Sequence, residues 1–281
     1  MQVEKISALF DAAERIAVLS GAGLSKASGI PTYRDNGGLW TQEGIIRFSS
    51  AAELKKNPEG FRDFWAARQS EIKVAQANPG HFALARLQLL RPAVTLMTQN
   101  VDGLLMKAEA TGVLELHGSL LRDRCGSCRA VFPSLDEASL AQGSRCPSCG
   151  AATVRPDVVL FGENLDARIS NAAKQAAKSS EVFLLVGTSA VVYPAADLAK
   201  LAVAQGAKLV IINLEPTPLD HLAAAVIHGR TEDTLPRIIE LMTSEAGIVR
   251  LPSEPHRQLP SADAAQPSVL ASLSRWLSRR N

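Results

Sequence analysis

Five short apolar runs, residues 16–19, 94–97, 113–116, 182–186 and 209–212, are spread along this chain of 281 residues. They are rich in Val, Ile and Leu and lack the polar alternation of a half-exposed strand, so each reads as a strand covered on both faces, as in a parallel sheet. Parallel neighbours need long crossovers, and helical spacing over 81–90, 167–178, 195–204 and 234–242 supplies them. The expected fold class is therefore α/β, a doubly wound parallel sheet. The length allows one large domain, or one with a small satellite.

Each run ends in residues suited to chemistry. The clusters are Gly21-Ala22-Gly23, Thr98-Gln99-Asn100-Val101-Asp102, His117-Gly118-Ser119, Gly187-Thr188-Ser189 and Asn213-Leu214-Glu215. An open parallel sheet gathers such clusters at its carboxyl edge, where ligands bind. One cluster would be ordinary turn and cap chemistry. Five that together carry amide, carboxylate, imidazole and hydroxyl groups point to a site. Gly21 and Gly23 follow a strand and open a helix, which lets backbone N–H groups approach a pyrophosphate. The third glycine of a dehydrogenase fingerprint is missing, because position 26 is Lys.

Two segments interrupt the sheet pattern. Residues 45–76 are helical, with Phe61, Phe64, Trp65 and Arg68 at spacings of three and four. Residues 122–156 are short, irregular pieces holding Cys125-x2-Cys128 and Cys146-x2-Cys149, 17 residues apart. Two such knuckles complete a tetrahedral S4 shell suited to zinc, with no position left for water, so the metal would be structural. The alternative, two disulfides, requires an oxidising compartment. A nucleic-acid ribbon using Arg122, Arg124, Arg129 and Arg145 is the weaker reading of the same segment. A net charge of +2, from 30 basic and 28 acidic residues, gives no overall field for nucleic acid or an anionic membrane. No apolar run approaches the ~18 to 20 residues of a membrane span, and the first residues lack the pattern of a secretory signal, so the expectation is a cytoplasmic protein with no membrane insertion. Residues 244–281 read as a Pro-rich linker and an amphipathic helix carrying Val269, Leu270, Leu273, Trp276 and Leu277. That helix is expected to dock on the protein itself, with a partner or a lipid surface as alternatives.

Taken together, these residues resemble the sirtuin family of NAD-dependent protein lysine deacylases over about residues 3–242. The resemblance is carried by Gly21-Ala22-Gly23-Leu24-Ser25, Ser28-Gly29-Ile30-Pro31-Thr32-Tyr33-Arg34, Thr98 to Asp102, Leu116-His117-Gly118 and the four cysteines. Further on it is carried by Arg155-Pro156-Asp157-Val158-Val159-Leu160-Phe161-Gly162-Glu163, Gly187-Thr188-Ser189 and Asn213-Leu214-Glu215. It implies a catalytic domain over 1–243 with a Rossmann-type large part, small-domain insertions at about 45–76 and 122–156, and one structural zinc ion on Cys125, Cys128, Cys146 and Cys149. NAD would be consumed as cosubstrate, and an acyl-lysine protein or peptide would thread between the two parts.

By the same resemblance, Gly21, Ala22, Gly23, Tyr33 and Arg34 hold the pyrophosphate and nicotinamide-ribose end of NAD, with Trp40 on the loop beside them. Gln99 and Asn100 lie along that ribose, and Ile30 and Asp102 border the nicotinamide. Gly187, Thr188, Ser189, Asn213, Leu214 and Glu215 meet the adenosine, with Arg230 and Thr231 closing over adenine; Thr231 replaces the Ala common there. His117, with Asn100 and Asp102, forms the catalytic set. The acyl carbonyl oxygen attacks the anomeric carbon as nicotinamide leaves, and an imidazole near neutral pKa draws a proton from the ribose diol. The other histidines, His81 among them, read as structural.

Val158, Val159 and Phe161 are expected to line an apolar acyl channel. Gly162, Glu163 and Asn164 on one side and Val191, Val192 and Tyr193 on the other are expected to pair with the substrate backbone. Trp65-Ala66-Ala67-Arg68 stands where family members that remove succinyl or malonyl groups carry Tyr-x-x-Arg. Arg68 and the indole N–H are candidates to grip a distal carboxylate; an aromatic core contact beside a solvated Arg is the other reading. Protein ADP-ribosylation, NAD-dependent dehydrogenation and a zinc-ribbon binding module are the competing functions. No oligomeric state is assigned.

Overall fold

The computed structural model describes residues 2–32, 45–91, 93–135 and 145–245. Tyr33, Arg34, Trp40 and the segment from 246 onward lie outside the described residues. The chain opens with helix α1 (Gln2–Ala12), which buries Ile6 and Phe10, one turn apart, and runs into strand β1 (Ile16–Ser20). A tight turn of helix over Ala22–Ser28 follows. Next come α2 (Ile45–Phe48), α3 (Ala51–Lys56) and α4 (Pro58–Val74). The Ser50 hydroxyl caps α3 by accepting the Glu53 N–H, and the Asn57 side chain caps α4 just before Pro58, which has no N–H to satisfy. Asn78 and Pro79 repeat that device at α5 (Pro79–Leu90), which leads into β2 (Val94–Thr98).

After β2 come the short α6 (Leu104–Lys107) and β3 (Leu114–Glu115). Three strands then leave the main sheet: β4 (Gly118–Cys125), β5 (Val131–Pro133) and β6 (Val154–Val158). The chain returns through α7 (Ala167–Ser179), β7 (Val182–Val186), α8 (Asp197–Ala204), β8 (Lys208–Asn213), β9 (Ala225–His228) and α9 (Thr231–Glu245).

The main sheet has the order β3-β2-β1-β7-β8-β9, and every neighbouring pair is parallel. Side chains of β1 and β7 point alternately into two cores. Val18, Leu184 and Val210 pack with Ile6, Leu84 and Ile238 on one face; Leu19, Phe183 and Leu185 pack with Ala173 and Ala199 on the other. Both faces are thus covered, as the unalternating runs require. All five apolar runs are strands. The sixth strand, β9, was absent from the sequence pattern: it has four residues at the sheet edge, and only Ala225 is buried.

The second sheet, β5-β4-β6, is antiparallel and starts at Gly118, directly after His117. Phe61, Phe64 and Trp65 of α4 form a separate core with Phe48, Leu120, Val158 and Leu160, which ties the helical segment to this sheet. Among the described residues no helix is long and apolar enough to cross a membrane.

Candidate active site

The chain leaves β1 toward β2 on one side of the sheet centre, while β7 and β8 extend the other side, so the strand order reverses between β1 and β7. Loops at such a point diverge and leave a crevice at the carboxyl edge. Here the two loops also touch. Gly21 N–H donates to Val186 O at 3.0 Å, and Gly23 N–H donates to Gly187 O at 2.8 Å. A Cβ on Gly187, whose φ is +58°, would stand 2.4 Å from the Leu24 nitrogen, and one on Gly23 would stand 2.8 Å from Gly187 O. The glycines are therefore required by loop-on-loop contact, a reason the spacing of the motif does not reveal.

A buried hydrogen-bond network lies under the crevice. The backbone N–H of Asn78 donates to His81 Nδ1 at 3.2 Å, so a neutral His81 carries its proton on Nε2, which faces Ser25 Oγ at 3.3 Å. Asn100 Nδ2 donates to the same hydroxyl at 3.0 Å and to Gly21 O at 3.0 Å. Ser25 in turn donates to Asp102 Oδ2 at 2.7 Å, and the Leu104 N–H donates to Asp102 Oδ1 at 2.9 Å. Burial raises the Asp102 pKa, and these two bonds oppose the rise. Burial lowers that of His81 to about 4. Asp102, expected at the nicotinamide border, stands behind Ser25 and does not line the cavity. His81 caps α5, as a structural histidine would, but it also sets the orientation of Ser25.

His117 sits on the link between β3 and β4, where the two sheets meet. Its Nδ1 is 2.9 Å from Gln99 O. A carbonyl only accepts, so Nδ1 carries the hydrogen and Nε2 holds the lone pair. Burial lowers the His117 pKa below its ordinary value, and the bond to Gln99 partly offsets this. Gln99 is held by its own side chain, whose Nε2 donates to Thr188 Oγ1 at 3.0 Å. The imidazole is thus tied through β2 to the loop after β7.

A cavity of about 1270 Å³ opens over these groups. Of the expected site residues, Gly21, Ala22, Gly23, Gln99, Asn100, His117, Gly187, Thr188, Ser189, Asn213, Leu214, Glu215 and Thr231 line it. So do Trp65, Val158, Val159, Phe161, Gly162, Glu163, Val192 and Tyr193. Ile30, Arg68 and Val191 do not; Ile30 packs against the α4 core. Lys26, Ser49, Leu165 and Glu232 also line the cavity, and no motif marked them. Among the described residues the wall combines amides, hydroxyls, the cations of Lys26 and Arg230 and the carboxylates of Glu163, Glu215 and Glu232. That donor set suits a pyrophosphate flanked by ribose diols.

On the side of the small sheet, the Trp65 indole N–H donates to Phe48 O at 2.9 Å. Arg68 Nη2 donates to Glu71 Oε1 at 2.6 Å, with the guanidinium 5.6 Å from the centre of the Phe64 ring. Glu163 accepts from Arg155 Nη2 at 2.8 Å and from the Leu160 N–H at 3.0 Å, which braces the loop after β6.

The four cysteines lie apart from the cavity, at the far end of β4. Their sulfurs all fall within 4.8 Å of one another, and none is in a disulfide. Cys125 and Cys149 are 3.7 Å apart, as are Cys128 and Cys146. Zinc–thiolate bonds of ~2.3 Å in a tetrahedron place sulfurs about 3.8 Å apart, so the cluster fits one zinc ion. The N–H groups of Ser127 and Cys128 point at Cys125 Sγ, at 3.3 and 3.4 Å, and stabilise a thiolate there.

The family model described as "Sir2 family" matches residues 21–194, more than half of the chain. An "NAD-dependent protein deacylase" of Ralstonia nicotianae is 41% identical over 237 residues, covering 83% of this chain and 94% of that protein. A solved Sir2 homolog–NAD complex superposes with a TM-score of 0.80 at 32% identity, covering 86% of this chain and 94% of the other. A Sir2 protein bound to a myristoylated histone peptide gives a TM-score of 0.70 at 31% identity, covering 88% and 98%.

Proposed function

The chain belongs to the Sir2 family and is an NAD-dependent protein deacylase, and from that premise we propose how its residues share the reaction. NAD, bound along the strand-end loops, supplies a ribosyl carbon that accepts the acyl oxygen as nicotinamide leaves. His117 is the general base. With Nδ1–H tied to Gln99 O, its Nε2 lone pair is available to take a ribose hydroxyl proton. Burial favours the neutral ring, which is the form a base must have.

Asn100 spends both amide hydrogens on Gly21 O and Ser25 Oγ, so its Oδ1 remains to accept from the ribose or from an ordered water. Asp102, Ser25 and His81 act as positioning residues through that amide. Lys26 and Arg230 flank the pyrophosphate path, and Asn213, Glu215 and Glu232 suit the adenosine hydroxyls. The acyl-lysine stem passes along Trp65, Val158 and Leu160, a dry wall that keeps water from the reacting carbon. Its peptide backbone lies between the loops around Gly162 and Val192. The products are nicotinamide, O-acyl-ADP-ribose and free lysine.

In this reading residues 1–243 form the catalytic unit, and the helices of 45–76 with the zinc ribbon of 122–156 form its small domain. The zinc stays structural, because four thiolates fill its shell. Four neighbouring unbridged thiols suit the reducing cytoplasm. The observation that carries the mechanism is the fixed tautomer of the partly buried His117 imidazole on the cavity wall. Its test is His117→Ala: turnover of an acetyl-lysine peptide should fall by at least about 10²-fold while NAD still binds. Near-normal turnover would remove His117 from the mechanism.

A further inference from the structure

The cavity wall differs in charge from one part to another. Among the described residues its cations are Lys26 and Arg230, both on the loops at the strand ends, whereas the wall built by α4 and the small sheet, Trp65, Val158 and Leu160, has none. One cation lies just behind that wall. Arg68 follows Trp65 by one turn of α4, its side chain is only 10% exposed, and its Nη2 donates to Glu71 Oε1 at 2.6 Å. The same guanidinium lies over the Phe64 ring, which fixes its direction along the helix. The indole N–H of Trp65 is directed away as well, to the Phe48 carbonyl.

An acyl group ending in a carboxylate would bring a charge into this passage. It would need a cation there, since an unpaired charge in a dry site is strongly disfavoured. To reach Arg68 it would have to displace or share with Glu71, whose charge has the same sign. A neutral acyl chain meets no such obstacle.

We propose that Glu71 sets acyl selectivity: by holding Arg68 it makes the passage accept neutral acyl groups and reject those with a distal carboxylate. The inference rests on the deacylase reading above and names the substrate class within it. Glu71 does not touch the substrate; it acts through Arg68.

The test uses the full chain, NAD and one peptide carrying butyryl-lysine or succinyl-lysine, with released nicotinamide and free lysine both measured. Wild type should favour butyryl over succinyl by about 30-fold or more in kcat/KM, and Glu71→Gln should narrow that ratio by about tenfold as Arg68 loses this carboxylate and an incoming one meets no like charge. Adding Arg68→Met to Glu71→Gln should abolish the gain. Each comparison is a ratio on one preparation, so a loss of folded enzyme cancels. Wild type that turns over succinyl-lysine as fast as butyryl-lysine overturns the proposal, as does an unchanged ratio in Glu71→Gln or a gain that survives Arg68→Met. In those cases the deacylase reading stands. If wild type turns over the acetyl-lysine version of the peptide but neither of these two, this inference alone fails; if it turns over none of the three, the deacylase reading fails and takes this inference with it.

Discussion

Beneath the nucleotide crevice, every residue of β1 and β7 is buried, and so are four of the six in β8. In the cysteine ribbon the buried cluster is Cys125, Cys146 and Val154, with Ala130, Phe132, Leu135 and Ala151 only partly covered. At about 1.5 to 3 kcal/mol for each fully buried aliphatic or aromatic side chain, the sheet holds its shape by apolar area alone, and the ribbon has too little. The crevice therefore inherits its rigidity from a large core, while the ribbon depends on one ion. Between them lies His117, anchored at Nδ1 to the sheet side and followed at once by the first strand of the small sheet.

The sharpest way to break this contrast is to remove the metal. Structural zinc sites contribute about 10 to 16 kcal/mol of apparent binding free energy at neutral pH. Metal analysis should find one zinc per chain, and a strong chelator, or Cys128→Ser, should unfold the ribbon while the six-stranded sheet keeps its circular dichroism. A ribbon that keeps its amide protection without metal would show that packing holds it after all.

Next in size are truncations of the two cores. Leu184 is fully buried in the sheet, and Leu184→Ala should cost about 2 to 5 kcal/mol in denaturant unfolding. Val131 in the ribbon is 48% exposed, so Val131→Ala should change stability by no more than about 0.5 kcal/mol. Equal costs would contradict the difference in packing.

A smaller effect comes from His81 under the crevice. Its pKa is lowered by burial to about 4, against an unfolded value of 6.5. The unfolded chain therefore takes up this proton first, so stability from His81 is full above pH 6.5 and is lost as pH falls toward 4. Between pH 6.5 and 5 the loss should be about 2 kcal/mol. His117, whose pKa is also lowered by partial burial, adds a loss of the same sign, and acid also protonates the zinc thiolates. The measurement is thus the difference between wild type and His81→Gln in urea unfolding at the two pH values. Parallel curves would mean that His81 titrates normally.

What was legible in the sequence follows the same division. The strands of the main sheet could be read because burial on both faces leaves unbroken apolar runs, and the ribbon because thiolate geometry dictates its spacing. Strand β9 escaped because an edge strand with one buried residue has no such run. Helix α1 was overlooked although Ile6 and Phe10 carry a helical spacing that marks its buried face. Strand-end clusters located the site, since topology alone brings those loops together. The side-chain bonds were not legible: His81 meets Ser25 across 56 residues, and Trp65 donates to a carbonyl 17 residues away. Such partners depend on packing, which no local pattern encodes. The same holds for Glu71, whose pairing with Arg68 at i,i+3 is common on any solvated helix and gains meaning only because the Arg68 side chain is 10% exposed, one turn from Trp65 on the cavity wall.

The most direct measurement follows both products at once on an acetyl-lysine peptide with NAD and the purified chain. Nicotinamide and free lysine should appear together, one for one, from the first turnovers. Nicotinamide released without free lysine, or lysine freed without nicotinamide, would contradict the assignment.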